Sequence, residues 1–295
     1  MDTHVSKLLH LRSEWYLTLI SEIELIRPLD WKYHVILHTN KYLSSISLAQ
    51  AQSFLTLGAV VRSSIWLTLL GLMSLISVGN DLRKAVVDGW PVENGIASDL
   101  RSGPFLPFLS WIETQLIVLE FWECGHELFK STSETFPAAF ISGDVFNPAL
   151  IEPREPFYSE PTAPRPPGLR ILKSLTPLQG HVSAIHASSF FHLFEEEEQL
   201  KLARQLATLL SPLPGSTIFG MHGGRPAKEF RTEVINSRGS HMFCHSPESW
   251  TDLWDGEIFR KGSVEVEVKL LEREPRRFDP PGIIMYLLVW SVIHR

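Results

Sequence analysis

Phe54-Leu55-Thr56-Leu57-Gly58-Ala59, Gly79-Asn80-Asp81-Leu82-Arg83-Lys84 and Ile96-Ala97-Ser98-Asp99 are the three pieces of sequence that decide the fold. The first is an apolar run that reaches a glycine. The second reads as the start of a helix, and the third is an apolar run that ends in an acid. Strand, glycine turn, helix, strand and terminal carboxylate are the parts of a nucleotide-binding βαβ unit. One feature interrupts the pattern. Between Gly58 and Gly79 lies a mostly apolar segment for which a tight phosphate- or cofactor-binding turn has no room.

Upstream, Leu8, Leu11, Trp15, Leu19, Ile23 and Ile26 recur at steps of three or four residues. That spacing predicts an amphipathic helix, closed by Arg27-Pro28. His34 to Gln52 is a weaker helical pattern. Residues 1–50 therefore read as an N-terminal helical cap or lid, and 51–295 as the main domain. Downstream, Gly79 to Asp88 predicts a helix ended by Asp88-Gly89-Trp90-Pro91, with glycine after the helix and proline beyond. Asn94 to Leu100 is a second strand, and Pro137 to Asp144 a third that again ends in an acid. Ser102 to Leu119 is a second apolar intrusion, after which Glu120 to Ser131 resumes a helical pattern.

Ile151 to Gly168 is rich in proline and charge and reads as a surface loop. His181 to Phe191 is a fourth strand. Glu195 to Leu210 is a helix with acids in its first turn, where the dipole favours them. Ser216 to Met221 is a fifth strand, ending in His222-Gly223-Gly224. Ser246-Pro247-Glu248-Ser249 opens a helix that runs to Trp254, with Ser246 as N-cap and Pro247 at the first position. Val264 to Leu271 alternates charged and apolar residues, and Ile283 to Val292 is a last apolar strand. Strands alternating with helices predict an α/β fold with a largely parallel sheet. The last two strands lack a helix between them and are expected to pair as a hairpin at one edge.

The chain has 27 Lys plus Arg against 33 Asp plus Glu, a formal net charge of −6. No basic excess exists to neutralise phosphates, which argues against nucleic-acid binding. The cluster Arg273, Arg276, Arg277 is small and interrupted by Glu274. Two cysteines, Cys124 and Cys244, form no C-x-x-C pair, no disulfide framework and no cysteine-based zinc site, so no metal is expected. A reducing, cytoplasmic setting fits, and Met1 to Arg12 lacks the pattern of a secretory signal. A membrane helix needs about 20 apolar residues. Ile65 to Val78 is too short, and extension back to Phe54 takes in Arg62, Ser63 and Ser64, so a span is not expected.

A further set of motifs goes beyond this pattern. They are Ala97-Ser98-Asp99-Leu100, Asp88-Gly89-Trp90-Pro91, Glu127-Leu128-Phe129, Phe140-Ile141-Ser142-Gly143-Asp144-Val145-Phe146, Ile185-His186-Ala187-Ser188-Ser189-Phe190-Phe191-His192-Leu193-Phe194, Pro214-Gly215-Ser216, Ile218-Phe219-Gly220 and His245-Ser246-Pro247-Glu248-Ser249-Trp250. Together with Gly79-x-Asp81-Leu82-Arg83-Lys84, the set resembles the class I S-adenosylmethionine-dependent methyltransferases, in particular the fungal enzymes of meroterpenoid and polyketide pathways. The resemblance runs from Gly79 to the C-terminus. It implies a Rossmann-like, mostly parallel seven-stranded sheet with helices on both faces and an antiparallel edge strand. It implies S-adenosyl-L-methionine as cofactor and methyl transfer, at oxygen, to a small apolar secondary metabolite.

The resemblance also distributes roles. Asp99, with Leu100 after it, is the carboxylate for the cofactor's ribose hydroxyls; an acid that merely ends a strand is the alternative. Asp144 and Val145 lie against the adenine, unless Asp144 serves as a cap. Gly58 lets the backbone approach the methionine moiety, Gly79 is a further cofactor-binding candidate, and Asp81 either touches the cofactor or caps the helix. Ser188, with Ser189 and His192, lies on the cofactor or substrate side. His186 and His192 are candidate general bases toward a hydroxyl; as lone histidines, each also has a purely structural reading. A carboxylate acceptor needs no base, and catalysis is then positioning. Trp250, Trp254 and Phe243 line an apolar pocket or serve as core.

The sequence departs from the family at its first strand. The usual acid is Thr56, and Arg62 to Val78 splits the turn. Ser183 stands where an acid is usual, just after the start of the fourth strand. Gly103 to Leu119 separates Arg101 from Glu120, which the family joins directly. The two intruding segments are apolar, similar in length and placed at motif junctions, so one or both read as translated introns or recent insertions. The alternative function is a degenerate methyltransferase fold that binds without catalysis as an auxiliary protein. Sequencing of the mature transcript tests the intron reading: reads that skip one or both segments are expected, and continuous reads through both would overturn it.

Overall fold

The computed structural model describes residues 54–59, 79–100, 122–123, 125–235, 241–273 and 282–295. The helical cap expected over 1–50 and the apolar segments at 62–78 and 103–119 lie outside the described residues. The first strand, β1, is Phe54–Ala59. Helix α1, Asn80–Val87, precedes β2, Gly95–Leu100, and β3, Ala139–Gly143. Then come β4, Ala184–His186, α2, Glu196–Leu209, and β5, Thr217–Gly224. A hairpin of β6, Glu229–Ile235, and β7, His241–Cys244, leads to α3, Pro247–Trp254. Strands β8, Val264–Arg273, and β9, Met285–His294, complete the chain.

Seven strands form one sheet in the order β3-β2-β1-β4-β5-β9-β8. The pairs β3/β2, β2/β1, β1/β4 and β4/β5 are parallel, so the chain crosses over between successive strands. β9 runs antiparallel to both β5 and β8. The last two strands thus pair as a hairpin at one edge, with the final strand on its inner side. β6 and β7 form a separate two-stranded sheet that the sequence pattern did not announce.

Successive strand residues point to opposite faces, and the two apolar clusters follow that alternation. Ile96, Ile185, Ile218 and Val292 pack in one cluster with Leu202, Leu206, Leu209, Trp250 and Trp254 of α2 and α3. Ala97, Ala184, Phe219 and Ile293, their next or preceding neighbours, pack in the other with Leu82 and Ala85 of α1 and with Trp122. Helices therefore cover both faces, which a sheet buried on both sides requires. The caps are local. Glu195 and Glu198 form a capping box on α2, and Ser246 with Ser249 forms one on α3, as the sequence pattern predicts for Ser246.

Several strands differ in length from those expected, β4 and β5 beside the candidate site among them. β4 keeps only three residues of the predicted His181–Phe191 run. After it the chain turns, with Ser189 at φ 53°, and enters a single 3-10 turn at Phe191–Leu193. β5 is longer than expected, because β9 supplies partners as far as Gly224. The start of α1 depends on Gly79, which sits at φ 77° in the left-handed region. A Cβ there would also lie 2.8 Å from the Trp122 ring. Gly79→Ala is therefore expected to cost about 2–3 kcal/mol, backbone strain plus the displaced ring. Gly215→Ala, at φ +87° with nothing within 4 Å of its Cβ, serves as the control, with an expected cost of about 1 kcal/mol. Urea midpoints measure both, and equal losses would mean that Trp122 yields freely.

Candidate functional site

The carboxyl ends of the parallel strands gather most of the candidate residues. In register, Gly58 of β1 stands beside Asp99 of β2, and Asp99 beside Ser142 of β3. Leu100 pairs with both Ala59 and Gly143, and Asp144 and Val145 follow directly. Five of the residues named from sequence thus lie along one edge of the sheet, across three strands. The strand order reverses at β1, between β2 and β4, the kind of switch point where open α/β sheets bind ligands.

Asp144 accepts a hydrogen bond from Phe146 N–H at 2.9 Å, and its carbonyl accepts from Asn147. Its carboxylate therefore builds the turn after β3, close to the capping alternative. Val145 is buried in the main apolar cluster. Gly79 occupies the N-cap position of α1, so Asp81 sits one residue inside the first turn rather than at the cap.

Asp81 meets the end of β4 instead. Its Oδ2 lies 3.6 Å from Nδ1 of His186, with the Asp81 side chain 44% exposed and that of His186 4%. The other ring nitrogen, Nε2, lies 2.7 Å from Ser188 Oγ. Ser188 Oγ in turn accepts the backbone N–H of Met221 at 3.1 Å. With Asp81 on the Nδ1 side, the arrangement that satisfies each group has Nδ1–H facing the carboxylate and Ser188 donating to Nε2. Burial lowers the His186 pKa, and Asp81 opposes that shift.

The tail of β4 is stitched to β5 along its backbone. Ala187 N–H donates to Phe219 O at 2.9 Å, and Ser189 N–H to Met221 O at 2.6 Å. The strands approach so closely that a Cβ on Gly220 would lie 2.7 Å from Ala187 O. Only glycine admits that contact.

His192 lies apart from this chain, in the 3-10 turn, with its Nδ1 buried and without a hydrogen-bond partner among the described residues. Burial and the charge of Arg231 push its pKa down to about 4. His245, bonded through Nδ1 to Ser249 Oγ at 2.9 Å, is likewise pushed down to about 4, by burial first and Lys228 second. His222 is pushed well below the usual imidazole range by burial and by the neighbouring His192 and His245. The sequence pattern marked His222 only as the end of a strand. Its partner, the Trp290 indole, is 68 positions away, so no local signal could have found it. Phe243, Trp250 and Trp254 are all buried. Trp250 and Trp254 belong to the main cluster, while Phe243 packs edge-on against Phe230 and His245.

Depressed imidazoles make stability depend on pH with a defined sign. The unfolded chain binds protons below about pH 6.5, and the folded chain resists until lower pH. Stability is therefore full above that value and falls as pH is lowered toward 4. His192 and His245, each near 4 when folded, would each withdraw about 1–2 kcal/mol by pH 5. Urea denaturation at pH 7.5 and pH 5 checks this. Replacement of His245 by Gln should flatten the dependence, and an unchanged slope would contradict the assignment.

No protein-family model matches the chain. Curated relatives do. O-methyltransferase phiE of a fungal species is 28% identical over 203 residues, 68% of this chain and 53% of that protein. Asnovolin E/Chermesin D methyltransferase nvfJ of Aspergillus novofumigatus is 26% identical, over 72% of this chain and 62% of its own length. Methyltransferase ausD of Penicillium brasilianum is 24% identical, over 72% and 62%. The chain thus spans between half and two thirds of the length of these relatives. Among solved structures, the 1,6-didemethyltoxoflavin-N1-methyltransferase of Burkholderia thailandensis aligns at 9% identity and a TM-score of 0.43, over 100% of this chain and 92% of that one, too slight a likeness to carry weight. Among the described residues no helix is long and apolar enough to cross a membrane. The kinship implied by the motifs is therefore borne out: this chain is a sequence relative of fungal methyltransferases.

Proposed function

We propose that this chain holds S-adenosylmethionine across the carboxyl ends of β1, β2 and β3 and transfers its methyl group to an oxygen of a small apolar metabolite. The observation that carries the reading is the row formed by Gly58, Asp99 and Ser142 beside the point where the strand order reverses. The names of the relatives support the reaction class, and one of those names points to small metabolites as acceptors.

In this reading Asp99 accepts the ribose hydroxyls and Leu100 extends the same wall. Asp144 and Val145 flank the adenine, Gly58 leaves room for the methionine moiety, and Gly79 sets the direction of α1. Ser188, half-buried at the same end of the sheet, faces the cofactor from β4. The cofactor supplies an electrophilic methyl group there. The protein's own contribution is position and exclusion of water. His186 has Asp81 on one ring nitrogen and Ser188 on the other. It therefore holds Ser188 in place and has no free nitrogen for a substrate proton. His192 has an unpartnered Nδ1 and stays neutral, so it is the imidazole that receives a hydroxyl proton as the new C–O bond forms. An imidazole of such low basicity favours acceptors whose hydroxyl is already acidic.

Calorimetry with S-adenosylhomocysteine tests the reading. The full chain should bind, and Asp99→Asn should weaken binding about tenfold or more, because an ionised acceptor of two hydrogen bonds is replaced by a neutral one. Equal affinity would remove Asp99 from the site. No binding by the unmodified chain would overturn the catalytic reading and leave a binding or auxiliary protein on a methyltransferase fold.

A further inference from the structure

We infer that His222 is a substrate-recognition residue, a tautomer-locked N–H donor that takes a neutral oxygen of the methyl-accepting molecule. The identity of the ligand as the methyl acceptor rests on the function proposed above, whereas the donor itself rests on geometry alone.

β4 pairs with β5 over Thr217–Phe219, whereas β5 continues to Gly224 beside β9, its one partner strand there among the described residues. His222 stands on that overhang, at the end of the sheet where α/β folds bind ligands. The preceding residue, Met221, is held at both backbone groups, its N–H by Ser188 Oγ and its carbonyl by Ser189 N–H. The position of His222 is thereby tied to the Asp81–His186–Ser188 chain.

The tautomer follows from one contact. Trp290 Nε1–H donates to His222 Nδ1 at 3.1 Å. An indole nitrogen only donates, so Nδ1 carries the lone pair and the proton sits on Nε2. That Nε2–H is buried, on a residue 2% exposed, and has no partner among the described residues. Buried donors are normally satisfied, so an orphan asks for a ligand or a water.

The surroundings favour a ligand with an apolar frame. The His222 ring is walled by Trp250 at 4.8 Å, Phe191 at 5.8 Å and Trp290 at 6.0 Å between centroids. Trp250, in ring contact with His222, and His192, whose charge influences it, also carry buried nitrogens, Nε1 and Nδ1, without partners among the described residues. Apolar walls with a few unsatisfied polar atoms are the usual composition of a small-molecule site. The two certain donors, His222 Nε2–H and Trp250 Nε1–H, are uncharged and ask for an acceptor oxygen such as a carbonyl on a ring-bearing molecule. As simple core, His222 serves to accept the Trp290 N–H, a role that accounts for Nδ1 and leaves Nε2–H unexplained.

Nitrogen-15 NMR of the full chain, with His222 assigned by its loss in His222→Phe, reads the tautomer directly. A proton on Nε2 is expected, and a proton on Nδ1 would overturn the proposal. Acetophenone, a ring-bearing carbonyl, is then titrated, with benzylamine as a donor-only control. Acetophenone should shift the His222 Nε2 signal saturably, and His222→Phe should weaken its binding about tenfold. Equal binding by the variant, equal binding of benzylamine, or no saturable shift would each overturn it. If His222→Phe does not fold, Trp290→Phe serves: it unlocks Nδ1, and the protein should then show mixed tautomers and weaker acetophenone binding, whereas an unchanged tautomer and affinity would overturn the lock. S-adenosylhomocysteine binding is measured on the same samples. Its absence in the unmodified chain would sink the methyltransferase reading and leave the acetophenone result to decide the donor.

Discussion

The close approach of β4 to β5 at Gly220 is the constraint on which the candidate site depends. With no Cβ at 220, the carbonyl of Ala187 can lie against the β5 backbone, and Ala187 and Ser189 can donate to Phe219 and Met221. That stitch sets where β4 ends and where its side chains point. His186 is buried between Asp81 and Ser188, and Ser188 reaches the Met221 amide. The left-handed conformation of Ser189 is the local cost of the turn that follows.

The second organising fact is that this end of the molecule buries imidazoles in neutral form. His186, His192, His222 and His245 are all held below the ordinary range, with burial as the largest cause in each case. Desolvation disfavours the charged ring, and nearby cations such as Arg231 and Lys228 add to it at His192 and His245. Neutral rings with fixed neighbours act as directional donors and acceptors rather than as charges. Such a site suits the positioning of an apolar molecule more than strong acid–base chemistry.

Much of the architecture was legible in the sequence because its signals are local. Phe54–Ala59, the helix from Asn80, the helix from Glu196 and the capped helix from Pro247 form close to where periodicity and capping residues put them. The β6–β7 hairpin was missed, since its two arms are short and mixed in charge and their pairing is a contact across a turn. The fourth strand is shorter than its sequence pattern predicts: Ala187 to Phe191 is apolar enough for a strand, but the chain turns at Ser189, where its N–H bonds to β5. Asp144 carried two readings, and its bond to Phe146 N–H makes the turn-building role visible.

By itself the sequence determined most of the strand and helix segments and the alternation that makes both faces of the sheet apolar. Those properties depend on neighbours a few residues apart. The tertiary structure alone decided which of the candidate residues meet. Asp81 reaches His186 across 105 positions of chain, Ser188 reaches Met221 across 33, and Trp290 selects the tautomer of His222 across 68. A hydrogen bond depends on distance and angle in space, and only the packing of parallel strands beside one another brings such distant residues within its range.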